Sequence, residues 1–321
     1  MAILLEQERD GAEMRNRTAD PVRATIREHA VAPESGTILS LDDGTGYTAD
    51  GETPLPSRHP AIAEPYGAHA GPWAIAHRGG PAGSAENTIG AFTRAVDAGL
   101  TYLETDVRVS ADGVAVAFHD ATLDRVTELT GPVQSRAWAT LSRTLVDGTE
   151  PVTRIEDLLA WFPDQRFIID IKQAEAIRPL VAAIRRTGAT SRVCVAGGWD
   201  AWLAAIREQT GVASALGWRA LFTLYSSAIA GVRPPVQIAE GGRYAHAAWR
   251  LGRMRVMVRP RVAARLISMA HDLRLKAIAW TVDDPAHVGR LLDQGIDGVI
   301  GDDPAGLVST FASRGFAPTG R

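Results

Sequence analysis

From Trp73 onward, short apolar runs alternate with stretches that repeat apolar residues at helical spacing, the pattern of strand–helix units around a parallel sheet. The runs predict strands at 73–77, 102–106, 167–171, 193–197, 213–217, 236–239, 277–281 and 297–301. Helical periodicity falls at 86–98, 155–162, 174–187, 199–209, 261–273 and 285–294, and more faintly at 219–230. Eight strands is the number that closes a barrel. The expected fold is therefore α/β, a (β/α)8 TIM-type barrel over residues 71–315. Residues 239–257 follow neither period. Residues 1–70 mix acidic, Gly, Pro and Thr residues without a sustained repeat, and read as a mostly disordered extension with a short helix near Pro21–Ala30.

One segment breaks the alternation. After Thr105-Asp106-Val107 comes the turn signal Ser110-Ala111-Asp112-Gly113, then the apolar run Val114 to Phe118. A parallel crossover needs about a dozen residues, so this connection predicts a hairpin rising from the second strand. Folding the chain there brings His119 back opposite Glu104 and Asp106.

Composition narrows the class. The chain has 321 residues, 45% of them apolar, and a net charge of −3 without a basic block, so nothing favours a nucleic-acid partner. The single cysteine, Cys194, rules out an internal disulfide framework and fits a reducing compartment. The first apolar run stops after Leu5, unlike a secretory signal, and no run of about 18 apolar residues spells a membrane span. A cytoplasmic location without an integral membrane segment is the expectation.

The polar residues at the expected strand ends carry the chemistry. Strand one ends in His77-Arg78-Gly79, strand two supplies Glu104 and Asp106, and the hairpin returns His119-Asp120. The third strand ends in Asp170-Ile171-Lys172, the seventh in Trp280-Thr281, and the eighth in Gly301-Asp302-Asp303-Pro304. Positions i and i+2 of a strand face the same way, so Glu104 and Asp106 point together, as do Asp170 and Lys172. Three converging carboxylates repel one another unless a cation neutralises them. One divalent ion, Mg²⁺ or Ca²⁺, suits oxygen ligands of this kind. The imidazoles of His77 and His119 titrate near neutrality and suit acid–base work, while Arg78 and Lys172 suit an anionic substrate. Taken singly, each has a plainer role: a strand-end histidine as a hydrogen-bonded structural residue, Trp280 as core, Asp302 and Asp303 as helix caps. Convergence on one barrel face favours function over these roles.

The segments AHRGGPAGSAENTIGAF and AGLTYLETDVRVSADGVAVAFHDATLDRVT, followed by FIIDIK, AIAWTVDDP and GIDGVIGDDP, resemble the glycerophosphodiester phosphodiesterase family over about 240 residues. The resemblance implies a metal held by Glu104, Asp106 and Asp170, with His77 and His119 as the acid/base pair. It also implies phosphate gripped by Arg78 and Lys172, and Glu86 and Asn87 shaping the site. In such enzymes a neighbouring glycerol hydroxyl attacks phosphorus, and water opens the resulting cyclic phosphate, releasing glycerol 3-phosphate and an alcohol. Three positions depart from the family pattern: Ala85 stands for proline, Asp170 for glutamate, and Gly301 for threonine.

Three other readings compete. A lipid phosphodiesterase acting on lysophospholipids would need an apolar groove, for which Trp218, Phe222, Tyr225, Tyr244 and Trp249 are candidates. A non-catalytic phosphate- or metal-binding barrel would more naturally have lost a histidine, and both are present. A Schiff-base aldolase is disfavoured because Lys172 lies beside carboxylates rather than in an apolar pocket.

Overall fold

The computed structural model describes residues 65–68, 71–82, 85–249 and 257–317. Expectations for residues 1–64, including the Pro21–Ala30 helix, lie outside the described residues. Ten strands form one sheet: β1 Trp73–His77, β2 Tyr102–Val109, β3 Ala115–Ala117, β4 Thr153–Arg154, β5 Arg166–Ile171, β6 Val193–Ala196, β7 Ala213–Ser214, β8 Tyr244–Ala248, β9 Lys276–Trp280 and β10 Gly298–Gly301. Among the described residues eight helices of seven residues or more accompany them: α1 Ile89–Asp97, α2 Ile155–Trp161, α3 Ile177–Arg186, α4 Asp200–Thr210, α5 Trp218–Ala230, α6 Pro260–Asp272, α7 Pro285–Asp293 and α8 Pro304–Ser313.

The parallel strands run in the order β8-β9-β10-β1-β2-β5-β6-β7. A bridge between Ala215 and Tyr244 joins the two ends, flanked by Leu216 N–H donating to Tyr244 O at 2.8 Å and Arg243 N–H donating to Ser214 O at 2.9 Å. The result is the nearly closed eight-stranded barrel that the strand count predicts.

Alternation along the strands sorts the apolar residues into two layers. Trp73, Ile75, Tyr102, Ile168, Cys194, Tyr244, Ile278 and Ile300 fill the barrel interior as one buried cluster. Their neighbours Ala74, Ala76, Leu103, Phe167, Ile169, Val195, Ala277 and Val299 face outward under the helices. The inward positions thus end, at the C-terminal rim, in His77, Glu104, Asp106 and Asp170. The fold itself aims the predicted polar residues into one mouth.

The hairpin forms as expected. β3 pairs antiparallel with β2, Val107 opposite Ala117 and Val109 opposite Ala115. Its excursion carries a small core of its own, with Val116, Phe118, Leu123, Val133 and Leu141 buried together. That core anchors the loop holding His119.

The sixth barrel strand is a correction. Residues 236–239 form part of a 3-10 turn, Val236–Gly241, with no buried residue, and the strand is Tyr244–Ala248 inside the stretch that followed neither period. The turn follows Pro234-Pro235, and its β-branched Val236 and Ile238 imitate a strand. The true strand, YAHAA, has no β-branched residue to mark it. The faint helix at 219–230 is α5, thirteen residues long.

Candidate functional site

The rim is built from the ends of β1, β2 and β5. Register places His77 beside Glu104, and Asp106 beside Asp170. His77 Nδ1 lies 2.5 Å from Asp302 Oδ1, and its Nε2 turns toward Glu104 Oε2 at 3.9 Å. Arg78 occupies the left-handed region at φ 50°, which swings its backbone N–H onto Glu104 Oε2 at 3.1 Å. Its guanidinium reaches two more acids, with NH1 donating to Glu86 Oε1 at 3.1 Å and Nε 3.1 Å from Asp106 Oδ2. Gly79, at φ +82°, permits this turn: a Cβ there would lie 2.8 Å from Ala91 Cβ in α1.

Asn87 and Thr88 follow. Thr88 caps α1 by accepting from Ala91 N–H, while Asn87 Nδ2 donates to Asp106 Oδ2 at 3.2 Å and its Oδ1 accepts from Thr105 Oγ1 at 2.8 Å. Glu86 and Asn87 thus contact Arg78 and Asp106.

Lys172 sits between two carboxylates, its Nζ 2.9 Å from Asp106 Oδ1 and 2.6 Å from Asp170 Oδ2. Among the described residues, no three His, Cys, Asp or Glu side chains are grouped closely enough to hold a metal ion. The neutralising charge on Asp106 comes from Lys172 and Arg78. Burial works against the Asp106 carboxylate, but those two cations and His119 outweigh it and hold its pKa well below the usual carboxylate range. The same two carboxylates overcome burial at Lys172 and raise its ammonium. At Glu104 the opposing charges of His77 and Lys172 are outweighed. Burial, reinforced by the charge of Asp106, pushes its pKa up to about 7.

The two imidazoles diverge. At His77 burial lowers the pKa, but the hydrogen bond to Asp302 and the charge of Glu104 win, and the net shift is upward. At His119 burial again lowers it, Lys172 and Arg78 add to that, and the net shift is downward despite Asp106. His119 Nδ1 rests on Asp120 Oδ1 at 2.6 Å.

Two residues with a place in the site were not singled out from the sequence. Arg125 donates to Asp120 Oδ2 at 2.5 Å and to Glu86 Oε1 at 2.6 Å and Oε2 at 3.0 Å, so one guanidinium ties the His119 loop to the carboxylate behind Arg78. His246 points into the barrel from β8, buried, its Nε2 without a hydrogen-bond partner among the described residues. Burial alone brings its pKa down to about 4. Neither was legible, since Arg125 looks like any surface arginine and His246 lies on the strand the pattern missed.

Trp280 ends β9 half-buried, with its indole N–H donating to His246 O at 3.0 Å, leaving the ring and not the N–H to meet a ligand. The five aromatic candidates for a lipid groove do not share one surface. Tyr225, Tyr244 and Trp249 are buried, Tyr244 within the barrel, and Phe222 is 55% exposed on the outer face of α5. No described helix is long and apolar enough to cross a membrane.

Comparison with known proteins bears on the family and the fold. The model of the glycerophosphoryl diester phosphodiesterase family matches residues 77–306. The chain is 34% identical over 251 residues to a Mycobacterium tuberculosis protein named "Probable glycerophosphodiester phosphodiesterase 2", covering 77% of this chain and 93% of that one. Two solved structures share the fold. The glycerophosphoryl diester phosphodiesterase domain of another M. tuberculosis protein superposes with a TM-score of 0.61 at 22% identity, covering 76% of this chain and 99% of that one. A phosphodiesterase of Oleispira antarctica, solved with the product sn-glycerol-3-phosphate, gives 0.59 at 19% identity, covering 75% and 97%.

Proposed function

Because the chain belongs to the glycerophosphoryl diester phosphodiesterase family, whose members are phosphoric diester hydrolases, we propose that it converts glycerophosphodiesters to glycerol 3-phosphate and an alcohol with His77 and His119 as its proton-transfer pair. The observation that carries the reading is the flanking of one charged cluster by both imidazoles. His77 faces Glu104, and Phe118 N–H donates to Asp106 O at 3.1 Å, which sets the adjoining His119 beside Asp106.

In this scheme His119, the imidazole whose pKa is lowered, takes the proton from the glycerol hydroxyl next to the phosphoester. That oxygen bonds to phosphorus as the P–O bond to the head-group alcohol breaks. His77, whose pKa is raised, gives its proton to the departing oxygen. Water then opens the cyclic phosphate with the roles reversed. Arg78 and Lys172 hold the non-bridging phosphate oxygens, the guanidinium in a fork suited to them. Trp280 offers its ring to the substrate beside them.

One divalent ion, Mg²⁺ or Ca²⁺, suits Glu104, Asp106 and Asp170 as hard oxygen donors, once these carboxylates draw closer together than they stand in this structure. These three would hold it, with Lys172 giving up Asp106 or Asp170. The ion would supply electrostatic stabilisation of charge on phosphate oxygens. Asp170 is one methylene shorter than the usual glutamate and already engaged by Lys172, so the expected affinity for the ion is modest.

The test is a panel of glycerophosphodiesters and a lysophospholipid, assayed with and without chelator. Glycerophosphodiester turnover should dominate and fall on chelation. It should drop at least about 10²-fold in His119→Ala, the usual scale of general acid–base loss. Dominant lysophospholipid turnover would favour the lipid phosphodiesterase reading. The kcat/KM profile should be bell-shaped, losing activity as pH falls through the lowered His119 pKa and as it rises through the raised His77 pKa.

A further inference from the structure

Resting on the reading of His77 as a proton-transfer group, we propose that Asp302 is the positioning residue of this imidazole, holding its Nδ1–H so that Nε2 faces the reaction.

The end of β10 carries two consecutive aspartates, and the structure divides their work. Asp303 caps α8, its Oδ1 accepting from Gly306 N–H at 3.0 Å. Asp302 takes no part in the cap; its Oδ1 lies on His77 Nδ1 at 2.5 Å. A carboxylate accepts but does not donate, so the short contact requires the proton on Nδ1. Nε2 is then the nitrogen free to gain or lose a proton, and it is the one directed at Glu104. His119 has the same arrangement from its neighbour Asp120, but Asp302 reaches His77 from the far end of the chain.

The surroundings hold Asp302 in place. Its backbone N–H donates to Asp283 Oδ1 at 2.5 Å, and its carbonyl accepts from Ala82 N–H at 3.2 Å. Asp283 comes this close because position 301 is glycine, where a Cβ would stand 2.9 Å from Asp283 Oδ1 and 3.0 Å from Val282 O. Gly301 thus has a physical reason for departing from threonine: it admits the carboxylate that orients Asp302. Other charges acting on His77 are those of Arg78, Glu104 and Asp283, whereas the contact at Nδ1 is made by Asp302.

A double-mutant cycle tests the proposal. Asp302→Asn should lose about 10²-fold in kcat, the scale of general acid–base catalysis, with KM within about threefold of wild type. Asp302→Glu should recover part of that loss. His77→Ala/Asp302→Asn should be within about threefold of His77→Ala alone, because a residue acting through His77 has nothing left to contribute. Asp303→Ala, which removes the α8 cap, should lower the melting temperature and leave kcat unchanged. Additive losses in the double variant, or full activity in Asp302→Asn, would overturn the assignment. Independently of turnover, long-range proton–nitrogen correlation spectra of the wild type should report His77 protonated on Nδ1, and a bare Nδ1 would overturn it as well. A wild type inactive on every glycerophosphodiester would instead sink the reaction reading, leaving the tautomer measurement to judge the pair.

Discussion

At the scale of single residues, charge balance governs the site. Asp106 has two cations within 3.1 Å and stays ionised, while at the neighbouring Glu104 burial and the charge of Asp106 outweigh His77 and Lys172, and the proton is held up to about 7. Its ordinary value is 4.5, so the folded protein binds more protons here than the unfolded chain. The stability this gives is complete below about 4.5 and is lost as pH rises through about 7, with a ceiling of roughly 3 kcal/mol. In chelator, the melting temperature of the wild type relative to Glu104→Gln should therefore rise as pH is lowered from about 8 to about 5. Thermal melts of the two proteins across that range check it, and a flat difference would contradict it. His77, Arg78, Glu104, Asp106, His119 and Lys172 were legible because each follows or ends an apolar run, where a polar residue needs a reason. Asp302 was legible only as a strand-end residue or helix cap, and Arg125 was not legible. Their partners come from distant loops, and a sequence does not state those distances.

At the scale of elements, the loop between β1 and α1 couples the site to the fold. Gly79 lies against the first turn of α1, and Gly90 N–H donates to Glu150 Oε2 at 2.7 Å, so the excursion returns a carboxylate to the helix N-terminus, where negative charge is favoured. Gly79→Ala should cost about 2 kcal/mol, from left-handed backbone strain plus contact with Ala91, and should displace His77 and Arg78. Chemical denaturation together with kcat measures both, and a variant with wild-type values would show that the turn has room to spare. The β2–β3 hairpin was readable because a crossover could not fit between Val109 and Val114. β8 was not: an Ala-rich strand owes its place to neighbours β7 and β9 rather than to its own propensity, whereas VQIA has the propensity without the neighbours.

At the scale of the whole molecule, the barrel is uneven. β2 and β5 pair over six residues, whereas β7 contributes two residues and meets β8 through a single bridge. Hydrogen exchange should therefore be faster at Leu216 and Arg243, whose N–H groups close that seam, than at the amides between β2 and β5; equal protection would show the seam to be as cooperative as the rest. The proposed catalytic rim stands on the strong side, on β1, β2 and β5, which suits a site whose groups must stay within hydrogen-bonding reach. The most direct test of the account is the release of glycerol 3-phosphate from glycerophosphocholine, followed for the wild type, His77→Ala and His119→Ala with a divalent cation present and after chelation. The account predicts release by the wild type that needs the cation and is at least about 10²-fold slower in either variant. Undiminished release by either histidine variant would contradict it.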